Sequence, residues 1–268
     1  MRLSTSTAQS AYPFPQNPST MKSKALKRAL SVIFSLLFWL LLWQALAIKI
    51  SNNFLLPTIP STIEALCSLL STEGFYTAVL FSLLRVIAGL ILGCILGITL
   101  GVISKKLPII NALISPMITV IRSTPVASFI VMLWVLLSGD ELSIFIAFLM
   151  VMPIIWQSTC DGFDATDKGL SEVAQVFEFS FGKRLGLLIL PTLKQYLIPA
   201  IITATGLAWK AEIAAEIIGY TKKSIGQGIN DAKQVLDTPT VFAWTVVIIL
   251  FSIVLEKSTK YLLGRFKK

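Results

Sequence analysis

Asp167 to Pro191 reads DKGLSEVAQVFEFSFGKRLGLLILP. It is a polar, helix-patterned island between long apolar runs, so it lies in water while its flanks do not. Leu170, Val173, Ala174, Phe177 and Phe181 fall at i, i+3, i+4, i+7 and i+11, the spacing of one helix face. Asp167 stands where an N-cap accepts from the first free backbone N–H groups. Val176 and Phe179 lie off that stripe, with Glu172 and Glu178 nearby. Two apolar faces on one short water-facing helix predict two neighbours. The stripe packs on the chain's own membrane domain, and Val176 and Phe179 meet a partner.

Outward from the island the chain is apolar almost throughout. It has 268 residues, 55% of them hydrophobic, with a mean hydropathy of +0.79. That composition describes one all-α membrane bundle, not a soluble globule. The net charge of +9 belongs to loops on one side of a membrane and calls for no nucleic acid. The chain contains no histidine, which excludes Ser-His catalysis and His-held metal or haem within it. Cys67, Cys94 and Cys160 have no metal-ligand spacing and read as unpaired packing residues. No catalytic residue, metal site or cofactor is expected.

Residues 1–28 read as a cytoplasmic tail, disordered where Ser, Thr, Pro and Gln dominate and basic after Met21, an alternative start. Residues 29–268 read as the membrane domain. Spans are expected at Ala29–Ile48, Thr77–Ile103, Ser123–Leu137, Leu142–Cys160, Gln195–Gly219 and from Thr240 onward, each long enough to cross or nearly cross the hydrocarbon layer. An inclined half-helix precedes the third. Loops are expected at 49–76, with a short helical pattern from Thr62 to Leu70, and at 220–239. Of the 23 Lys and Arg, sixteen fall on the side of the tail, the island and the C-terminus, and four on the other. That asymmetry puts both ends and the island in the cytoplasm.

Three intramembrane features stand out. Gly89, Gly93, Gly97 and Gly101 recur every four residues and make a smooth face for close helix packing. Arg122 with Pro125 reads either as a hinge beside a pathway or as an anchor at the cytoplasmic interface, stem along lipid and head in water. Lys210, Glu212 and Glu216 share one span, the two glutamates on one face and Lys210 opposite. They read either as part of a translocation pathway or as a static ion pair. Arg85 and Glu212 come out at similar depth, about 10–12 Å below the outer surface. Arg85 should therefore pair with Glu212, or with Glu216 one turn further out.

Glu172-Val173-Ala174, with Leu190-Pro191 downstream, resembles the coupling loop of ABC-importer permeases, here spanning 163–194. Four more stretches resemble the nitrate/sulfonate/taurine/bicarbonate group of these permeases: Leu56-Pro57 with Pro60, SLLRVIAG from Ser82 to Gly89, Arg122 to Pro125, and GLAWKAEIAAEIIG from Gly206 to Gly219. The resemblance covers roughly residues 55–266 and implies a type I importer fold of about six spans in a bacterial plasma membrane. It further implies a pair of permeases, a cytoplasmic ATP-binding subunit meeting the island, and an extracytoplasmic solute-binding protein. The cargo would be a small solute such as a sulfonate or nitrate. One position departs from the family pattern: Glu178 stands where these permeases carry Gly, which moves the expected turn to Ser180 or Gly182. The chain has no G-x-x-x-x-G-K-[ST] run, so ATP hydrolysis through that loop falls to another chain. The alternative is a stand-alone ion-coupled transporter or channel with the Lys/Glu cluster as its relay, although no inverted repeat is visible.

Overall fold

The computed structural model describes residues 18–265. The described residues are mostly α-helical, with one π-helical turn, and divide into two units between Asn52 and Asn53. The first unit is α1, Pro18–Ile50. Its apolar part, Leu30–Ile50, is long enough to cross a membrane. The helix starts well before the expected Ala29: residues 18–28, read as tail, are helical. The reason is local, since Lys, Ala, Leu and Arg are all good helix formers and Pro18 sits at the first position, where its missing N–H costs nothing. Residues 1–17 of the expected tail lie outside the described residues.

The second unit carries α2 (Ile59–Leu70), α3 (Glu73–Lys106), α4 (Pro108–Ser123), α5 (Val126–Trp134), α6 (Asp140–Asp164), α7 (Lys168–Val176), α8 (Phe181–Arg184), a π turn (Leu185–Ile189), α9 (Leu190–Ile218), α10 (Ile225–Gln234) and α11 (Thr238–Gly264). Among the described residues five helices, α1 included and α9 taken with the turns that precede it (Gly182–Ile218), are long and apolar enough to cross a membrane. The sixth candidate is α4 with α5, bent by 101°. Nine residues of α5 rise only about 13.5 Å, so neither piece spans alone. Pro125 causes the break: it forces Thr124 out of the helical region (φ −85, ψ 133) and has no N–H to continue the ladder.

Helices α3 and α6 run parallel in close contact, with α9 packed antiparallel against α6. The four glycines make the contact. A Cβ built on Gly89, Gly93, Gly97 or Gly101 would stand 2.5, 2.6, 2.8 or 2.6 Å from the Cβ of Ala147, Val151, Ile155 or Thr159. Each step of four on α3 matches a step of four on α6, so the two helices stay in register over three turns. Trp209 on α9 is fully buried and donates from Nε1 to the Ile248 carbonyl of α11. Phe75 stacks on Trp244, tying α3 to α11. The expected loop at 220–239 instead contains α10, capped by Ser224, whose hydroxyl accepts from the Gln227 N–H. Its Gly226 and Gly228 lie against Glu216 and the Trp244 ring, too close for any Cβ. The polar composition hid a helix that packs through its small residues.

Gly93→Leu should reduce the yield of monodisperse protein and lower its melting temperature, because overpacking a tight contact costs about 1–3 kcal/mol or more. Gly186→Ala, where the added Cβ meets nothing within 4 Å, should leave both unchanged. Equal behaviour of the two variants would show that the α3–α6 contact tolerates separation.

Candidate functional site

The glycine register decides where the nearest charge goes. Arg85 precedes Gly89 by one helical turn and so points at the start of α6. It is 4% exposed. Its Nη1 donates to Glu216 Oε1 at 2.8 Å and its Nε to Asp140 Oδ1 at 2.7 Å. Nη2 donates to the Lys222 carbonyl at 3.1 Å, and both Nη atoms reach the Lys223 carbonyl. Glu216 is fully buried and accepts further from Ser82 Oγ at 2.7 Å and from the Gly226 N–H at 3.1 Å. Ser82 in turn accepts from the Ile225 N–H. Buried charge is tolerable only with this degree of pairing.

Of the two carboxylates expected for Arg85, the structure selects Glu216. Glu212 is fully buried and neither of its oxygens has a hydrogen-bond partner among the described residues. Asp140, the first residue of α6, is the second partner. Nothing in the local sequence marks it, because its position beside Arg85 follows from the α3–α6 register. Around this lock the backbone turns through left-handed conformations at Gly139, Tyr220 and Lys223. Thr221 Oγ1 lies 3.3 Å from both the Gly139 carbonyl and Ser143 Oγ, joining the two connections.

The four residues read as one intramembrane charge site therefore separate. Arg85 and Glu216 are locked and Glu212 is enclosed; Lys210 alone is exposed. It shares an open stripe of α9 with Thr203 and Leu207, and Leu207 borders a cavity of about 260 Å³ together with Arg122, Met150 and Pro153. Met150 is ten residues into α6, about 15 Å along its axis. Arg122 thus sits near the middle of the bundle, not at its basic interface. Neither Arg122 nor Lys210 has an ion-pair partner among the described residues.

At the opposite end, α7 begins as expected: Asp167 Oδ1 accepts from the Gly169 and Leu170 N–H groups. Its end differs. The helix stops at Val176, and Phe181 belongs to the next helix. Glu178 takes φ +50, Phe179 N–H bonds to the Ala174 carbonyl at 2.9 Å and Glu178 N–H to that of Gln175 at 3.1 Å. This is a Schellman cap built on a glutamate. The turn is at Glu178 itself and not at Ser180 or Gly182, because the 6→1 bond demands a left-handed residue there whatever its type. The face assignment also changes. Ala174 is buried, but Leu170, Val173, Val176 and Phe177 are 49–80% exposed, and Phe179 is half-buried. The stripe expected to pack inward is mostly open, and Glu172 and Glu178 are exposed beside it.

Residues 89–268 match the profile of the family described as "Binding-protein-dependent transport system inner membrane component". The chain is 24% identical over 233 residues to a protein of Methanocaldococcus jannaschii described as an ABC transporter permease, covering 83% of this chain and 85% of that one. It is 31% identical over 144 residues to an aliphatic sulfonates transport permease protein of Bacillus subtilis, about half of each chain (53% and 50%). It is 23% identical over 216 residues to the taurine transport system permease protein of Escherichia coli, covering 78% of each. Among solved structures, an amino acid ABC transporter matches with a TM-score of 0.59 at 17% identity, over 72% of this chain and 92% of that one. The MetNI methionine ABC transporter matches at 0.60 and 13%, over 73% and 97%.

Arg85→Met leaves Glu216 buried and unpaired and should cost about 3–5 kcal/mol. Arg85→Met with Glu216→Gln should lose less than the two single changes together, read as melting temperature and folded yield. Strictly additive losses would mean that the two groups do not depend on each other.

Proposed function

The chain belongs to the family of inner membrane components of binding-protein-dependent transport systems, and with this as premise we propose that two copies form the translocation pathway of an ATP-driven importer. Its fold is that of ABC-importer permeases. In this reading a cytoplasmic ATP-binding subunit docks on α7 and a solute-binding protein delivers cargo at the opposite face. Both chain ends and α7 lie in the cytoplasm, in keeping with the sixteen-to-four division of basic residues.

The observation that carries the coupling role is the apolar surface of α7. Val176, the last residue of the helix, is 80% exposed and Phe177, its C-cap, 70%. Glu178 ends the helix in a fixed turn, which holds that surface in one orientation. Apolar side chains presented this way at a water-facing end favour a partner that covers them. Glu172, Val173 and Phe179 border the same patch, and Ala174 anchors it from beneath. Gly182 lies beyond the turn, with open space around it. An ion-coupled transporter working through the Lys/Glu cluster is less well supported, since Arg85 and Glu216 are committed to a closed network.

The cargo is a small solute that carries an oxyanion group. The named relatives serve aliphatic sulfonates, taurine and, in Synechococcus elongatus, bicarbonate. Arg122 and Lys210 put two positive groups on the open face. Charged groups at membrane depth face a water-filled cavity or a partner rather than lipid, so that face lines the pathway.

Val176→Asp or Phe177→Asp should abolish copurification of the ATP-binding subunit while the permease still inserts, because the new charge would need a partner in a dry interface. Undiminished copurification and ATP-driven uptake would mean that α7 is merely solvated. The orientation has a separate check. In a Cys-free variant, cysteine at Val235, which is 73% exposed, should react in intact cells with a membrane-impermeant thiol reagent. Cysteine at Lys183 should react only after lysis. The reverse pattern would invert the topology.

A further inference from the structure

We infer that the bend between α4 and α5 is a binding site for one small oxyanion carrying a short aliphatic tail, with Arg122 as its charged ligand. The inference rests on the importer reading and adds to it a position and an orientation of the cargo.

Arg122 borders two cavities. One, of about 330 Å³, is bounded by Ser115, Thr119, Arg122 and Ser123 from α4 and by Trp156 and Gln157 from α6. The other, of about 260 Å³, is bounded by apolar groups, among them Leu149, Met150, Pro153 and Leu207. The spacing explains the first: Ser115, Thr119 and Ser123 recur every four residues, and Arg122 lies one turn beyond Ile118 on the same side of α4. No carboxylate borders either cavity.

The groups that face the polar cavity have hydrogens to give. Arg122 offers five guanidinium N–H donors in a planar fork, the geometry that binds two oxygens of an oxyanion at once. The Gln157 amide uses one hydrogen on Asp161 Oδ1 at 2.8 Å and keeps the other. Thr119 and Ser123 spend their hydroxyl hydrogens on the carbonyls of Ser115 and Val120, and Trp156 spends its Nε1–H on Ser104 Oγ. Arg122, Gln157 and the Ser115 hydroxyl are therefore the donors available to a ligand. A cation finds no counter-charge here, and a neutral molecule leaves the guanidinium unmatched.

Arg122 borders both cavities, so a ligand held by its oxyanion on the guanidinium has the apolar cavity within reach of its tail. A short alkyl chain would lie against Met150, Pro153 and Leu207, gaining about 0.8 kcal/mol per buried CH₂. Lys210, one turn along α9 from Leu207 on the same open stripe, supplies a second positive station further toward Asp140.

The test uses the full-length chain in lipid nanodiscs with Cys67, Cys94 and Cys160 replaced by Ala and one reporter cysteine at Thr119. Two methanethiosulfonate reagents are compared, one bearing an ethylsulfonate and one an ethyltrimethylammonium group. With Arg122 present the sulfonate reagent should react faster than the cationic one by about tenfold, as expected for a cavity of one sign of charge. Butane-1-sulfonate should slow the labelling, and inorganic sulfate should do so less well. Arg122→Gln should remove both the preference and the protection, while Arg122→Lys should keep the preference and lose part of the protection. A second reporter at Ser123 repeats the measurement should the Thr119 variant fold poorly. A charge preference that survives Arg122→Gln, or absence of protection by butane-1-sulfonate at both reporters, overturns the site. Protection by sulfate equal to that by butane-1-sulfonate overturns the assignment of the apolar cavity to a tail. Labelling needs no transport. Charge-selective, protectable labelling in a chain whose reconstituted complex takes up no solute would leave the site standing and remove the importer reading.

Discussion

Close approach of two parallel helices is the constraint on which the second unit depends. Four glycines on α3 leave no room for any side chain between it and α6. A contact of this kind is held by packing of backbone on side chain, because lipid offers no hydrophobic drive for helices to associate. It also acts as a ruler. With the register set at four points over three turns, everything beyond the ladder is placed: Ser104 under the Trp156 indole at one end, Arg85 beside Asp140 at the other. Helix α9 then meets the pair with Glu216 at the height of Arg85.

The charges inside the bundle divide by what surrounds them. Arg85 has two carboxylates and the carbonyls of the α9–α10 connection, so its desolvation is offset by several charge-assisted bonds. That network pins α3, α6, α9 and α10 to one another and leaves little freedom for a moving ion. Arg122 and Lys210 have no such partners and stand on the open side. Like charges thus stand in two settings: paired and enclosed at Arg85, exposed and without an ion-pair partner among the described residues at Arg122 and Lys210. The Pro125 break separates the two regimes, since it is what turns α4 and α5 so that Arg122 arrives at mid-depth.

The short helix α7 is shaped by its ending. Residues with a side chain resist the left-handed conformation by roughly 1 kcal/mol or more, yet Glu178 holds it, because the Phe179 and Glu178 N–H groups both find helix carbonyls there. A freely fraying end would let the apolar side chains turn toward the membrane domain. The capped end keeps Val176 and Phe177 out in solvent.

Much of this chain was legible in its residues. Length and hydropathy determined five of the spans, because crossing a fixed hydrocarbon thickness needs a minimum run of apolar residues, but not the third, where the run expected at Ser123–Leu137 is a bent helix pair. The four-residue glycine repeat announced a close helix contact, and Asp167 announced the start of α7, because both are matters of local geometry. A shared depth narrowed the partner of Arg85 to Glu212 or Glu216. The choice between them, the part played by Asp140, the helix hidden in the polar stretch 225–234, the turn at Glu178 and the mid-depth position of Arg122 were decided by tertiary structure. Each depends on how one helix is rotated or shifted against another. A shift of two residues, about 200° around the helix, exchanges a buried glutamate for an exposed lysine, as Glu212 and Lys210 do, and the rotation that sets which is buried comes from packing partners distant in the chain.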